Sequence, residues 1–274
     1  MRKGIFHTVC TLMLLTIYGL PSATIAMIAW ALSGWWRLGV MFAAPTLYAV
    51  FFVIVAGLLS CPFHKAIIPG KFPRSLQHPI YRKRRYYGLC WTALYYCKPV
   101  YYLCLTLPWL KSLTFWLFGY RGQKDFTVYP DTWIRDLPLL ELGKGAYIAN
   151  RATLGTNMPL NNGKVLVDRV KVGADALIGH LTMLAAGVEV GDRTEIESGS
   201  ALGLRVKVGS RCTLGGTVTL NHYARVGNDV RVGTSCYVGF RSRVEDGVEL
   251  DGFASVPDNS RLGTDREERH SAIS

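Results

Sequence analysis

Residues 170–196 read VKVGADALIGHLTMLAAGVEVGDRTEI, and an aliphatic residue returns there at every sixth position, at Val172, Ile178, Leu184, Val190 and Ile196. The period extends in both directions, because each sixth residue from Leu142 to Val256 is Leu, Ile or Val, twenty times in succession. If about one position in three were aliphatic, such a run could not arise by accident. The sequence therefore predicts a repeat fold built from a six-residue unit.

A period of six leads to a triangular β-helix. One unit forms a short strand and a corner, three units close a coil, and the aliphatic side chain of each unit points into the prism. Stacked coils pair as parallel strands roughly 4.8 Å apart. The twenty units correspond to about seven coils, a rod on the order of 30 Å long at that spacing. We predict this domain over residues 121–257.

Other positions of the unit agree with this interpretation. The residue after the aliphatic one is Gly eleven times in twenty, which suits a corner that needs positive φ or close backbone approach. Four residues after the aliphatic position the chain has small or β-branched residues, including Ala176, Thr182, Val188 and Cys212. Departures cluster at Met158 and Lys164, so we expect residues 156–170 to loop out of the coil, with Leu160 and Leu166 matching the period by chance.

Charge divides the chain into two unlike halves. Residues 1–120 hold twelve Lys or Arg and no acidic residue, whereas residues 121–274 hold nineteen basic and nineteen acidic residues. The basic residues of the first half flank apolar segments and do not line a polar face. This arrangement indicates a lipid bilayer and not a nucleic acid as the partner.

Two N-terminal segments are long enough to span a bilayer, which requires about 20 apolar residues. They are residues 7–32 and 38–61, and we predict two transmembrane helices within residues 1–63. The first is too long for a cleaved signal peptide, although Arg2 and Lys3 precede it. Seven cations follow the second segment between Lys65 and Arg85, and the connection at 33–37 carries only Arg37. By the positive-inside rule the β-helix would lie in the cytoplasm.

Residues 64–120 form a basic juxtamembrane segment. Lys98 and Pro99, then Pro108 and Lys111, interrupt the stretch 86–120, and we expect interfacial or re-entrant helices with aromatic rings at headgroup depth. Residues 258–274 lack the period, and we expect a loosely ordered polar tail.

The cysteines and histidines do not suggest a metal site. The seven cysteines have no C-x-x-C spacing, and Cys212 and Cys236 fall on small inward positions. His180 and His222 are the two histidines of the repeat, and both stand two residues after an inward aliphatic residue. They would occupy neighbouring faces about two coils apart, so one chain cannot join them in a single site. A γ-class carbonic anhydrase, which needs three histidine ligands, is therefore disfavoured.

His180, in Ile178-Gly-His-Leu-Thr182, is the better candidate for a general base, since imidazole titrates near neutrality. His222 is a second catalytic candidate, and Asn221 beside it would orient its ring. For both histidines a solvated surface residue remains the alternative, and for Asn221 the alternative is that it simply satisfies a corner.

The segment Leu142-Gly-Lys-Gly-Ala-Tyr-Ile-Ala-Asn-Arg-Ala-Thr-Leu-Gly-Thr156, then Asn157-Met-Pro-Leu-Asn-Asn-Gly163 and the hexads from Val170, resembles hexapeptide-repeat acyltransferases with left-handed parallel β-helices. More narrowly, two spanning helices before such a domain resemble one repeat of the C-terminal region of poly-lysine-synthetase-type nonribosomal peptide synthetases. The resemblance implies a left-handed helix, a homo-oligomer such as a trimer, and no bound cofactor or metal. It also implies Asn150, Arg151 and Asn157 as substrate-binding residues.

The resemblance implies a membrane-anchored acyltransferase that moves an acyl or aminoacyl group to an amine, an amino acid or a hydroxyl acceptor. The donor would be acyl-CoA or a carrier-protein phosphopantetheine thioester, held in a groove between parallel prisms. One departure is Asn157, which stands where the family tends to have histidine and cannot act as a base. Either catalysis uses His180, or positioning of an amine suffices, or the protein is a non-catalytic scaffold or accessory subunit of a larger synthetase.

Overall fold

The structure, a computed structural model, describes residues 3–263 and divides the chain into two compact units. One unit comprises the chain up to residue 68 together with residues 72–120, and the other comprises residues 69–71 and the chain from Arg121 onward. The predicted polar tail from 264 onward, and Arg2, lie outside the described residues.

The first unit is helical. Its elements are α1 (Lys3–Ala31), α2 (Gly34–Ser60), a 3-10 helix (Cys61–Ala66), α3 (Pro79–Tyr96), α4 (Lys98–Thr106) and α5 (Pro108–Leu117). Helices α3, α4 and α5 each begin with a proline in the first turn, where its missing N–H costs no helical hydrogen bond. The interruptions at Pro99 and Pro108 therefore separate three helices.

Aromatic rings form the core of the helical unit. Trp91 of α3 is fully buried, and its ring packs edge-to-face against Tyr101, Phe115 and Phe118 with centroid distances of 5.9, 6.4 and 5.2 Å. Such pairs contribute about 0.5–1.5 kcal/mol each beyond their area burial. These contacts hold α3, α4 and α5 together.

Two helical segments are long and apolar enough to span a membrane. They are Gly4–Ala31, with a mean hydropathy of 1.8, and Gly34–Ala66, with 2.3. Only 17% of each apolar window is buried within the structure, so these helices expose most of their apolar surface. At the turn between them, Trp30, Trp35 and Trp36 are each more than three-quarters exposed.

The second unit is a parallel β-solenoid with three sheets of seven strands each. Face 1 contains β2 (Thr127–Val128), β5 (Tyr147–Ile148), β10 (Leu177–Ile178), β13 (Glu195–Ile196), β16 (Thr213–Leu214), β19 (Arg231–Val232) and β22 (Glu249–Leu250). Face 2 contains β3 (Trp133–Ile134), β6 (Thr153–Leu154), β11 (Met183–Leu184), β14 (Ala201–Leu202), β17 (Thr219–Leu220), β20 (Tyr237–Val238) and β23 (Ser255–Val256). Face 3 contains β4 (Leu140–Leu142), β9 (Val170–Val172), β12 (Glu189–Val190), β15 (Lys207–Val208), β18 (Arg225–Val226), β21 (Arg243–Val244) and β24 (Arg261–Leu262).

The register confirms the six-residue unit. Ile178 pairs with Ile196 and Leu202 with Leu220, so equivalent residues of consecutive coils are eighteen positions apart. The last strand, β24, ends at Leu262, and the solenoid therefore extends beyond the boundary expected at residue 257.

The side chains that fill the prism are those expected. Ile178, Ile196, Leu214 and Val238 are fully buried. The small residues four positions after the aliphatic one are buried as well, and their polar atoms bond to backbone inside the rod: Thr194 Oγ1 donates to the carbonyl of Gly209 at 2.7 Å. Cys212 and Cys236 occupy this position, where burial raises the pKa of each thiol and keeps it in the unreactive protonated form.

The glycines that follow the aliphatic residues serve close backbone approach. A Cβ atom on Gly191 would lie 2.5 Å from the carbonyl carbon of Gly209 in the next coil. Positive φ occurs instead three residues after the aliphatic position, mostly at non-glycine residues such as Asp175, Arg193 and Arg211, with φ between 53° and 57°. Of the two reasons that the sequence offered for these glycines, close backbone approach is therefore the one that applies. Positive φ falls at a different position of the unit and is mostly adopted by other residues.

The loop expected at 156–170 is an antiparallel hairpin inserted into one coil, formed by β7 (Asn157–Pro159) and β8 (Lys164–Val167). Leu142 pairs with Val172, thirty residues later, where the coils after the insertion need eighteen. The insertion is therefore twelve residues, two hexads, and the period survives it unchanged. Leu160 and Leu166 match the period without lying on a face of the rod. A third strand, β1 (Gly70–Pro73), joins this hairpin on the side of β8.

Replacing Gly191 by alanine tests the close approach between coils. Its Cβ would collide with backbone, which cannot move cheaply, so we expect G191A to destabilise the solenoid by about 1–3 kcal/mol. Gly216 is the matched control, because its nearest neighbour would be the Ser198 carbonyl oxygen at 3.6 Å, and G216A should stay within about 0.5 kcal/mol of the parent. Urea unfolding in detergent, followed by far-UV circular dichroism, measures both; equal midpoints for the two variants would contradict the packing argument.

Candidate functional site

A groove of about 370 Å³ runs along face 2 beside the inserted hairpin. Its lining is mostly apolar and includes Met158, Met183, Ala185, Ala201 and Gly203. Asn157, Asn221 and His222 supply polar groups, and His222 is the only titratable side chain among the described residues that line it. An apolar groove with a few convergent polar groups is the usual form of a small-molecule site.

The outward side chains of face 2 are uncharged along the whole rod. Successive coils stack Trp133, Thr153, Met183, Ala201, Thr219, Tyr237 and Ser255 in one column. Face 3 differs sharply, because each outward residue of its corresponding column from Glu141 to Arg261 is charged. Face 2 is therefore the surface from which a ligand or another chain removes water at the lowest electrostatic cost.

The hairpin is held against the corner between faces 2 and 3 by apolar packing. Leu166 is 2% exposed and contacts buried Ala186 and Leu204, with Met158 and Leu160 packed against the same cluster. At its base, the buried Thr156 hydroxyl donates to Asp136 Oδ2 at 2.7 Å. Arg205 forms an ion pair with Asp168 at 2.8 Å. These contacts fix the strand that carries Asn157 and Met158 at the edge of the groove.

His222 lies in the groove and also completes a corner. Its Nδ1 accepts the N–H of Leu204 at 2.9 Å, so in the neutral ring the proton sits on Nε2. Asp192 and Asn228 make the equivalent bond to the coil before theirs, at 2.7 and 2.9 Å. His222 thus takes a structural position that acidic and amide side chains fill elsewhere, and its ring presents a hydrogen-bond donor.

Asn221 bridges His222 to the outer surface of face 2. Its Oδ1 accepts the backbone N–H of His222 at 2.7 Å, and its Nδ2 donates to the Tyr237 hydroxyl at 2.8 Å. Asn221 was predicted to orient the His222 ring, but its contact is to the His222 backbone. Met158, Thr219 and Tyr237 were not among the predicted site residues. The spacing of eighteen residues from Met183 would have revealed Thr219 and Tyr237 as part of this uncharged column.

His180 lies at the preceding corner, between faces 1 and 2, apart from the groove. It follows β10, the third strand of face 1, whereas His222 follows β17, the fifth strand of face 2. The expected separation of the two histidines by two coils on neighbouring faces is therefore what the structure has. The His180 ring is half-buried and makes no hydrogen bond within residues 3–263, and Leu181 and Met183 beside it are 52% and 57% exposed.

Asn150 and Arg151 stand one coil before His180. The pairing of Tyr147 with Leu177 places Asn150 at the position of His180 in consecutive coils. Asn150 accepts the N–H of Asp131 through Oδ1 at 3.2 Å, and Arg151 has a φ of 58° and an exposed side chain. The predicted site residues thus fall into two groups: Asn157 with His222 in the groove, and Asn150, Arg151 and His180 at the corner. Nothing in residues 3–263 forms a cluster suited to a metal ion.

Removing the Leu166 side chain tests how the hairpin is held. L166A deletes a buried contact worth about 2–5 kcal/mol, so we expect the hairpin to open locally while the rod stays folded. Limited proteolysis should then cut within residues 156–169 several-fold faster. Lys164, which is exposed on the same strand, provides the control, and K164A should match the parent; unchanged proteolysis of L166A would refute the anchoring contact.

No protein-family model matches this sequence, and no curated protein matches it. Three solved structures illustrate what its fold is similar to. The first is AntD, an N-acyltransferase from Bacillus cereus in complex with dTDP and 3-hydroxybutyryl-CoA, with 15% identity over 50% of this chain and 78% of that chain and a TM-score of 0.32. The second is a UDP-N-acetylglucosamine acyltransferase from Francisella novicida, with 18% identity over 50% of this chain and 58% of that chain and a TM-score of 0.28. The third is a mutant perosamine N-acetyltransferase from Caulobacter crescentus in complex with CoA and GDP-perosamine, with 18% identity over 48% of this chain and 53% of that chain and a TM-score of 0.26. Similarity at this level does not reach the chemistry of a site.

Proposed function

We propose that this protein is a membrane-anchored acyltransferase that moves an acyl or aminoacyl group from a thioester to an amine or hydroxyl acceptor. The observation that carries the proposal is the uncharged groove on face 2, which joins an apolar surface to the side chains of Asn157 and His222. The motif from Leu142 to Gly163, which resembles hexapeptide acyltransferases, includes Asn157 and Met158 of the groove lining. Acyl-CoA or a carrier-protein phosphopantetheine arm would be the donor, because such an arm is long and largely apolar.

The groove offers hydrogen-bond donors for the developing oxyanion. The acceptor's nitrogen or oxygen attacks the thioester carbonyl carbon, the C–S bond breaks, and the thiol leaves with a proton. The Asn157 amide and the Nε2–H of His222 are groups able to donate to the carbonyl oxygen as its charge grows. Removal of one such donor typically lowers kcat by about 10²–10³.

The base that removes the acceptor's proton must come from elsewhere, because the Nδ1 of His222 already accepts the N–H of Leu204. We assign this role to His180 of a neighbouring copy in a homo-oligomer such as a trimer. Two features support the assignment: the His180 ring has no hydrogen bond among the described residues, and exposed Leu181 and Met183 beside it suit a contact between chains. Asn150 and Arg151 would then bind substrate from the same corner.

Subunit complementation tests this shared site. H180A removes the proposed base, and H222N removes the donor while keeping an oxygen for the Leu204 amide, as Asn228 does for Ser210. Each variant alone should lose thioester-dependent acylation by at least about 10²-fold with an unchanged melting temperature. Co-assembled oligomers of the two should regain activity, because some interfaces combine an intact His180 with an intact His222.

Mass spectrometry of products from a panel of acyl and aminoacyl thioesters measures this recovery in detergent-purified protein. Homogeneous oligomers of each variant are the controls. If mixed oligomers stay inactive although each variant folds and assembles, the shared site is wrong. If H180A and H222N both retain full activity, neither histidine takes part in the reaction.

The aminoacyl branch of the proposal rests on the arrangement of two apolar helices before a hexapeptide solenoid, which resembles one repeat of poly-lysine-synthetase-type enzymes. In that case an amino acid would be the acceptor and an aminoacyl carrier protein the donor.

The alternative function is that of a non-catalytic scaffold or accessory subunit. It is favoured by one observation: the ring of His222 fills a corner position that Asp192 and Asn228 fill for structure alone.

Helices α1 and α2 would span the bilayer as a hairpin. Their apolar surface is mostly exposed, which a bilayer would cover. Arg37, the single cation of the connection, donates through Nε to the carbonyls of Ala29 and Leu32, both at 3.0 Å, and so satisfies carbonyls at the end of α1. By the positive-inside rule, the many cations that follow α2 support a cytoplasmic position for the solenoid.

Cysteine accessibility tests this topology. In a chain with Cys61 replaced by alanine, S33C lies between the two helices and S255C lies on the exposed surface of the rod. A membrane-impermeant maleimide should label S33C in intact cells and S255C only after lysis. Labelling of S255C but not of S33C in intact cells would reverse the orientation. Labelling of both sites in intact cells, or recovery of the protein in the soluble fraction, would contradict the membrane hairpin.

A further inference from the structure

A trough of about 970 Å³ runs along face 3, around the rod from the groove. Its floor contains Gly173, Gly191, Gly209 and Gly227, which have no side chain to fill it. Its lining carries six Lys or Arg and four Asp or Glu. The volume lies in the range of small-molecule sites, about 300–1,000 Å³.

The charges of face 3 change along the rod. In the column of outward residues, Glu141, Lys171, Glu189 and Lys207 alternate in sign. From Lys207 onward the column contains only cations, because Lys207 pairs directly with Arg225, Arg225 with Arg243 and Arg243 with Arg261. Like charges directly opposite each other on neighbouring strands are destabilising. This end of the trough thus carries repulsion that the first coils avoid.

Carboxylates form ion pairs with the neighbouring cations of the column but not with Arg225. Glu189 pairs with Lys207 at 3.1 Å. Glu245 is shared by Arg243 at 3.0 Å and Arg261 at 2.6 Å. Asp246, which also lines the trough, accepts the backbone N–H of Asn228 at 2.7 Å. No carboxylate within residues 3–263 pairs with Arg225, which is exposed between two other cations.

We propose that Arg225, with Lys207 and Arg243, binds a diphosphate-bearing small molecule in this trough. Guanidinium groups match phosphate oxygens with paired hydrogen bonds. Cations on consecutive coils, roughly 4.8 Å apart, match an anion whose charge is spread over two linked phosphates. The outward residues of this column are all charged, which suits a soluble anion and not a lipid surface. The proposal does not depend on acyl transfer, since its residues are distinct from those of the groove.

Calorimetric titration of the detergent-purified full chain with inorganic pyrophosphate tests the site. The parent should bind saturably, and R225Q should weaken binding at least tenfold without lowering the melting temperature. R225K keeps the charge without the planar fork and should show an intermediate loss. Arg231 provides the matched control, because it holds the same place before an inward valine but lies on face 1 between Thr213 and Glu249; R231Q should bind as the parent does.

The proposal would be overturned by no saturable binding by the parent, by equal binding by R225Q and the parent, or by an equal loss in R231Q. Inorganic phosphate should bind at least tenfold more weakly than pyrophosphate, and equal affinities would refute recognition of two linked phosphates. H222N should bind pyrophosphate normally even if it loses acylation. A failure of the acyltransferase proposal is thereby distinguishable from a failure of this site.

Discussion

Parallel pairing between residues eighteen positions apart is the constraint on which the solenoid depends. Each short strand satisfies its backbone groups with the coils before and after it, as in the bond from the N–H of Gly191 to the carbonyl of Val208 at 2.9 Å. Two-residue strands cannot be stable singly, so the stack must be continuous. Continuity in turn requires small or aliphatic side chains at the inward positions, and glycine at those corners where a Cβ atom would meet the backbone of the next coil.

The twelve-residue insertion forms a groove on this rod without disturbing its repeat. Two hexads leave the chain in phase, so Val170 continues the coil that Thr156 leaves. The hairpin covers part of the corner between faces 2 and 3 through Leu166 and forms one edge of the groove with Asn157 and Met158. The hairpin is thus an irregular insertion in the repeat, and the apolar groove lies beside it.

The three faces share a backbone and differ in their outward residues. Inward positions are restricted to small and aliphatic groups, whereas outward positions are free to vary. Face 2 is uncharged, and face 3 accumulates cations toward its end. The helical unit has its own division, with an aromatic core around Trp91 and long helices whose apolar surface is exposed. In both units the core is restricted by packing, and the surface residues are the ones that folding leaves free to vary.

Periodicity alone sufficed to predict the β-helix, its coil size and the insertion, because every coil imposes the same steric demand on residues six apart. It also placed His180 and His222 on neighbouring faces, since register follows from counting. Counting could not show that Nδ1 of His222 accepts the N–H of Leu204, that Leu166 anchors the hairpin, or that Arg225 lacks a carboxylate. Those properties depend on which side chains meet across coils and on the path of an aperiodic loop, and only the tertiary structure decides them.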